Sequence, residues 1–220
     1  MYRLIYKDIR LLINYFIVAM PISIFFVIVF TRVYPGFGYA MGAFGIAAMF
    51  VIAIPSMEAR NHSETIINSL PVLRTEIVRA KYLVAFLYAA SGLLMMASAG
   101  WLVNISPLPF NLPYMNWKSV IITLILVSIL ISIYYPLFYR FYNQVVIFLI
   151  NIVLFQLLFF FPSFISDYMN GHIDNSLVQQ LLQLYLYTPW SLPLLGITSA
   201  CLFLVVSYLF TIKIYTAKDF

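Results

Sequence analysis

Charged side chains are scarce in this chain of 220 residues: Asp, Glu, Lys and Arg make up 9% of it, and hydrophobic residues make up 64%. An ordinary soluble domain carries about 25% charged and about 45–50% apolar residues. This composition excludes a water-soluble fold and predicts a membrane protein throughout. The membrane-spanning segments that such a composition implies leave too little chain for a separate catalytic domain of roughly 100 residues. Any soluble enzyme that works with this protein must therefore be another chain.

Cysteine and histidine are almost absent as well. Cys201 is the single cysteine, which excludes an intrachain disulfide and a cluster of thiolate metal ligands. His62 and His172 are predicted on opposite sides of the membrane, so they cannot share a metal ion. The predicted spans contain no histidine and no paired carboxylates, which argues against an intramembrane protease. They carry essentially no ionisable residue, which argues against an ion-coupled transporter, and the chain offers no acid, base or metal constellation for a lipid-modifying enzyme. We therefore predict that this chain is not itself an enzyme.

Long apolar runs are abundant, and they predict an all-α membrane protein that forms a single transmembrane domain over residues 1–220. A span needs about 20 apolar residues to cross the hydrocarbon core. We predict six spans, at residues 11–31, 38–55, 82–103, 119–139, 144–162 and 190–212. All of the 12 Lys and Arg residues except Arg32 and Lys118 flank the same ends of these spans. Because cytoplasmic flanks are enriched in Lys and Arg, both termini are predicted to be cytoplasmic. The basic character then implies contact with anionic lipid, and no nucleic acid partner.

Two further segments are predicted to lie along the membrane surface. Apolar residues alternate with Arg3, Lys7, Asp8 and Arg10, a pattern typical of an interfacial elbow helix before the first span. The alternative interpretation is that these residues form only the charged end of the first helix. On the outer side, residues 163–189 place an apolar face opposite glutamines, which predicts an interfacial or re-entrant helix before the last span.

The most informative stretch is the polar cytoplasmic segment 56–81 between the second and third spans, which holds all three glutamates of the chain. Asn61 and Glu64 have the spacing of a capping box, and Pro71 ends a helix near Leu70. The result is a helix of about two turns, with an apolar face that a peripheral motor subunit could grip. The candidate coupling residues are Glu58, Arg60, Asn61, Glu64, Ile66, Ile67, Leu70, Pro71 and Arg74.

A family resemblance rests on this segment. The residues that carry it are Glu58, Ser63, Glu64, Asn68, Ser69, Leu70, Pro71, Val72, Arg74, Ile77, Val78 and Lys81, with Tyr215, Lys218 and Asp219 near the C-terminus. The chain resembles the ABC type-2 permeases of bacterial exporters, particularly the small six-span branch that includes phenol-soluble-modulin and antimicrobial-peptide exporter permeases. The resemblance implies a type V ABC exporter-like fold, a coupling helix docked in an ABC ATPase subunit, and a re-entrant hairpin that caps the exit pathway. ATP and Mg²⁺ would bind to that partner, because the phosphate-binding pattern Gly-x4-Gly-Lys-Ser/Thr is absent here.

The functional hypothesis is accordingly a permease subunit of an exporter in the bacterial cell membrane, paired with a second permease that is identical or related. Sparse charge and many aromatic side chains suit an amphipathic, peptide-like or lipid-like cargo. Asn151 and Gln156 are candidate pathway residues, although hydrogen bonds between helices are an alternative use. Tyr134, Tyr135, Tyr139 and Tyr142 are interpreted as an aromatic belt at the membrane interface. The competing hypothesis is a membrane-embedded interaction or immunity protein that binds peptide or lipid without pumping, in which segment 56–81 is only a loop.

Overall fold

A computed structural model of the protein describes residues 2–34, 36–60, 73–107, 112–141, 145–154, 156, 160 and 190–217. Every regular element within these residues is an α-helix, which confirms the predicted all-α class. The helices are α1 (Tyr2–Val33), α2 (Gly38–Arg60), α3 (Arg74–Ile105), α4 (Trp117–Arg140), α5 (Val145–Leu154) and α6 (Ser191–Thr216).

Five of these helices are long and apolar enough to cross a membrane. The apolar stretches are Tyr15–Val33, Gly38–Glu58, Arg74–Ile105, Trp117–Arg140 and Pro193–Thr216. They coincide with the predicted first, second, third, fourth and sixth spans. The predicted fifth span, residues 144–162, is helical from Val145 to Leu154, and most of its remainder lies outside the described residues. The six-span topology therefore remains a prediction.

Contacts between helix termini define two ends of the bundle. At one end, Asp8 of α1 contacts Lys81 of α3. We call it the charged end, because the described cations other than Arg32 and Lys118 lie on the helix segments that reach it. At the opposite end the rings of Trp117 and Trp190 are stacked with their centroids 4.5 Å apart.

The N-terminal prediction of a separate elbow helix is wrong, because Tyr2–Val33 is one uninterrupted helix. No proline or glycine occurs before Pro21, so nothing in the covalent chain forces a turn ahead of the first span. Asp8 is also 1% exposed, which means that this part of α1 packs into the bundle. The structure agrees with the alternative interpretation, in which these charges form one end of the first helix.

The core of the bundle surrounds α2, which packs against α1, α3 and α4. Buried small residues, including Ala43, Ala47 and Ala89, allow the backbones of α2 and α3 to approach closely. The spans of α1 and α6 are mostly exposed by comparison. Their outward apolar side chains suit contact with lipid.

The interpretation of the α4 tyrosines as an interfacial belt is wrong for those that the structure describes. Tyr134 and Tyr135 are each 1% exposed, and Tyr139 is buried as well. Tyr135 and Tyr139 are four positions apart, so they lie on the same face of α4. That face points into the bundle. The ring of Tyr135 packs edge-to-face on Tyr82 of α3, with centroids 5.1 Å apart. These side chains are core residues, and Tyr142 lies outside the described residues.

Candidate functional site

Four charged side chains meet at the charged end, and we call them the charge cluster: Lys7 and Asp8 of α1, Glu58 of α2 and Lys81 of α3. The carboxylate of Glu58 accepts hydrogen bonds from both Lys7 and Lys81. Lys81 Nζ lies 3.1 Å from Asp8 Oδ2, and Lys7 Nζ lies 3.6 Å from Asp8 Oδ1. The four ion pairs close a ring in which acids and bases alternate, with a formal net charge of zero. Three helices are thereby joined by one electrostatic unit.

The charge cluster is largely withdrawn from water. Asp8 is 1% exposed, and Glu58 and Lys81 are each 8% exposed, whereas Lys7 remains partly exposed. Burial raises the pKa of the Asp8 carboxyl above its ordinary value, and the positive charge of Lys81 acts in the opposite direction. Removing one partner from such a buried pair typically costs about 3–5 kcal/mol, because an uncompensated charge is left behind. The members of the cluster therefore depend on one another.

The next residue along α3 joins the other side of the bundle. The hydroxyl of Tyr82 lies 2.7 Å from Ser207 Oγ and 2.9 Å from Thr211 Oγ1, both on α6. Tyr135 of α4 donates a hydrogen bond of 3.3 Å to the backbone carbonyl of Lys81. Two consecutive residues of α3 thus contact four other helices: Lys81 contacts α1, α2 and α4, and Tyr82 contacts α6.

Arg74, a predicted coupling residue, begins α3 and reaches the last turn of α6. Its Nη1 donates a hydrogen bond of 3.1 Å to the carbonyl of Thr216. Backbone carbonyls at the end of a helix lack intrahelical partners and carry partial negative charge, so a guanidinium is stabilised there. The structure thus places Arg74 between the start of α3 and the end of α6.

The other predicted coupling residues lie at the end of α2 or in the segment that follows it. Glu58 is the buried member of the charge cluster described above, and Arg60 is the last residue of α2. Asn61, Glu64, Ile66, Ile67, Leu70 and Pro71 lie outside the described residues. Residues 61–72 connect the charged ends of α2 and α3, so both ends of this segment are attached next to the charge cluster.

The two candidate pathway residues differ in their surroundings. Asn151 is half-buried on α5, and its side chain lies close to the hydroxyl of Tyr134 on α4. Its Oδ1 atom is buried and has no hydrogen-bond partner in the described part of the chain. Gln156 is exposed. The contact of Asn151 joins α5 to α4, which agrees with the alternative use of this side chain in polar contacts between helices. A role of Asn151 and Gln156 in a pathway remains a prediction.

Lys7, Asp8 and Lys81 are site residues that the sequence interpretation did not group together. The sequence places Lys7 and Asp8 in the predicted elbow, and Lys81 at the end of the polar segment 56–81, among the residues that carry the family resemblance. The available signal was weak: five acids, Asp8, Glu58, Glu64, Glu76 and Asp219, lie among the cations of the same predicted membrane face. A balancing role is expected only for those that are buried, and the sequence does not show which these are.

The chain is similar to a known family of membrane proteins. The family model described as ABC-2 family transporter protein matches residues 3–216. No curated protein and no solved structure matches the chain. The match runs from the first turn of α1 to the last residue of α6, so it covers the charge cluster and the segment between α2 and α3.

Proposed function

Since this chain belongs to the ABC-2 family of transporter membrane proteins, we propose that it is the transmembrane permease subunit of an ABC exporter. A separate ABC ATPase subunit binds ATP and Mg²⁺ and supplies the energy. The family match over nearly the whole chain is the observation that carries this proposal. The proposed cargo is amphipathic and peptide-like or lipid-like, which suits a chain with 18% aromatic and few charged residues.

The proposed orientation places the charged end in the cytoplasm of a bacterial cell, with the protein in the plasma membrane. Lys and Arg near span ends favour the cytoplasmic side, and the charged end carries most of them. Both termini, and segment 61–72, would then face the ATPase. Residues 163–189 would lie on the outer side as an interfacial or re-entrant helix.

In the proposed mechanism, segment 61–72 is the coupling segment. Ile66, Ile67 and Leu70 fill an apolar groove of the ATPase. Arg60, Glu64 and Arg74 form ion pairs at its rim. Closure of two ATPase subunits on ATP displaces the segment. The displacement shifts the population of the bundle between two packings, one of which opens outward.

A second permease, identical or related, completes the proposed transporter. Six helices of one chain rarely enclose a path for a large amphipathic cargo, so the path is expected between two permease subunits. The exposed apolar spans of α1 and α6 leave a large outward surface for lipid or for this second subunit.

The test of coupling is the double variant Ile67→Asp/Leu70→Asp, reconstituted with the partner ATPase. We expect loss of permease-stimulated ATP hydrolysis with normal membrane insertion, because two charges cannot enter an apolar groove. Leu73→Asp is the matched control: Leu73 is 69% exposed and precedes α3, where Asp is a favourable N-cap. Unchanged stimulation in the double variant would refute the assignment of the coupling segment.

The test of orientation is labelling of Ser63→Cys with a membrane-impermeant thiol reagent. Cys201 is exposed, so it is first replaced by Ala. We expect modification of residue 63 only in inside-out vesicles. Modification in intact cells would place segment 61–72 outside and would overturn the exporter proposal.

A further inference from the structure

We propose that the charge cluster positions the coupling segment, so that Lys7, Asp8, Glu58 and Lys81 are positioning residues for ATP-driven transport. This inference rests on the proposed function, because it concerns how movement of segment 61–72 is passed to the helices. It differs from that function in assigning a role to the four charges of the charge cluster, of which Asp8, Glu58 and Lys81 are buried.

The charge cluster lies beside both points at which segment 61–72 joins the helices. Glu58 is within the last turn of α2, immediately before residues 61–72, and Lys81 lies about two turns into α3, after them. The Glu58–Lys81 ion pair joins residues that are 23 positions apart in the sequence. It therefore clamps together the two helix ends from which the segment emerges.

Helix α1 shares the clamp. Lys7 binds the same carboxylate as Lys81, and Asp8 binds the same ammonium as Glu58. Separating α2 from α3 moves at least one of them relative to α1, and so strains its ion pair with Lys7 or with Asp8. Ion pairs away from water weaken steeply when they open, which favours a closed arrangement over partial displacements. The three helix ends are thus expected to move as one unit.

The stability of the bundle does not by itself explain the charge cluster. Buried ion pairs replaced by apolar residues of similar volume often leave a protein as stable as before or more stable. Stability alone therefore does not require four charges at this place. A neutral replacement should keep the fold and release the clamp, which is the difference that an experiment can measure.

The decisive variant is Glu58→Gln/Lys81→Met, which removes one acid and one base and leaves Lys7 and Asp8 as a pair. Its matched control is Arg79→Met, because Arg79 is an exposed cation on the same part of α3 and is not a member of the charge cluster. Both variants are reconstituted and tested in the complex with the ATPase. We expect the double variant to insert, to retain its thermal stability and to co-purify with the ATPase, while stimulated ATP hydrolysis falls by about 2- to 30-fold.

A direct readout of positioning is the distance between spin labels at Arg60→Cys and Leu73→Cys, in a Cys201→Ala background. These sites bracket the coupling segment. We expect a narrow distance distribution in the parent and in Arg79→Met, and a broadened one in Glu58→Gln/Lys81→Met. A merely structural role would change thermal stability without this broadening.

The possible outcomes distinguish this inference from the proposed function. If Ile67→Asp/Leu70→Asp abolishes stimulation but Glu58→Gln/Lys81→Met keeps both full stimulation and the narrow distribution, the positioning role is refuted and the exporter proposal stands. If Ile67→Asp/Leu70→Asp leaves stimulation intact, the coupling assignment itself fails. Should the single variant Lys81→Met fail to fold, the double variant still decides, because it removes one acid and one base together and leaves Asp8 paired with Lys7.

Discussion

Replacement of Gly92 by alanine should push α2 and α3 apart. A Cβ atom at Gly92 would lie 2.6 Å from the carbonyl oxygen of Ala43 and 3.2 Å from the backbone nitrogen of Ala47, both on α2. Backbone atoms within a helix cannot rotate away, so the two helices must separate. Overpacking of this kind typically costs about 1–3 kcal/mol. Alanine also gains about 1 kcal/mol over glycine in helix propensity, which offsets part of that cost.

The matched control is Gly196→Ala on α6, which has the same gain in propensity. Its Cβ atom would lie 2.8 Å from Ile125 Cδ1, the far end of a side chain that can change rotamer. Subtracting the control from Gly92→Ala therefore leaves the effect of the close approach of two backbones. We expect the Gly92 variant to be less stable than the Gly196 variant by about 1–3 kcal/mol.

Thermal unfolding in detergent measures this difference. A change of 1 kcal/mol shifts the Tm of a protein of this size by about 2–4 °C, so the two alanine variants should differ by several degrees. Gly92→Val should lower the Tm further, because a branched side chain cannot fit where a methyl group already collides. Equal Tm values for Gly92→Ala and Gly196→Ala would refute the packing of α2 on α3 described above.

Two other contacts give smaller expected effects. Tyr82→Phe removes the hydroxyl that contacts Ser207 and Thr211. Interhelical hydrogen bonds in membrane proteins average about 0.6 kcal/mol each, so we expect a Tm loss of about 1–5 °C for the two contacts together. A double-mutant cycle with Thr211→Val should show non-additive losses, and strict additivity would contradict the contact. Arg74→Gln removes the guanidinium from the end of α6; we expect a stability loss below about 1 kcal/mol, as in Arg79→Gln, but lower stimulated ATP hydrolysis only in the Arg74 variant. Equal ATP hydrolysis in both variants would remove Arg74 from the coupling residues.

The helices could be predicted because the thickness of a bilayer dictates how many consecutive apolar residues a span needs. The start of α2 could be predicted for a second reason, the glycine in the preceding turn. Gly36 adopts a φ of 85° there, a conformation that favours glycine. The predicted start at residue 38 is the observed one. The side of a helix that faces the core was harder to predict. An almost wholly apolar span has no polar face, so its sequence does not show which side of α4 is turned toward the core. For this reason the prediction placed its tyrosines wrongly at the membrane interface.

The charge cluster could not be predicted, for a different reason. Asp8 and Lys81 are 73 positions apart in the sequence, and each lies at a span end where charged residues are expected in any case. A single sequence shows that these charges are on the same side of the membrane. It does not show that three helix ends converge closely enough to bury them together, because that depends on the packing of α2 against α3.

The same packing explains why α3 is the element through which movement would spread. Helices in a bilayer gain no hydrophobic stabilisation from one another, so close packing and interhelical polar contacts decide which of them move together. The pair α2 and α3 is joined by both, at Gly92 and through Glu58 and Lys81. The more exposed helix α6 is held to α3 by the hydroxyl of Tyr82, which lies within hydrogen-bond distance of Ser207 and Thr211, and by the hydrogen bond from Arg74 to the carbonyl of Thr216. A displacement of the charged end of α3 by segment 61–72 would therefore act on α1 and α2 through the ion pairs of the charge cluster, and on α6 through the hydrogen bonds of Tyr82 and Arg74. We expect α3 to separate from α6 before it separates from α1 and α2.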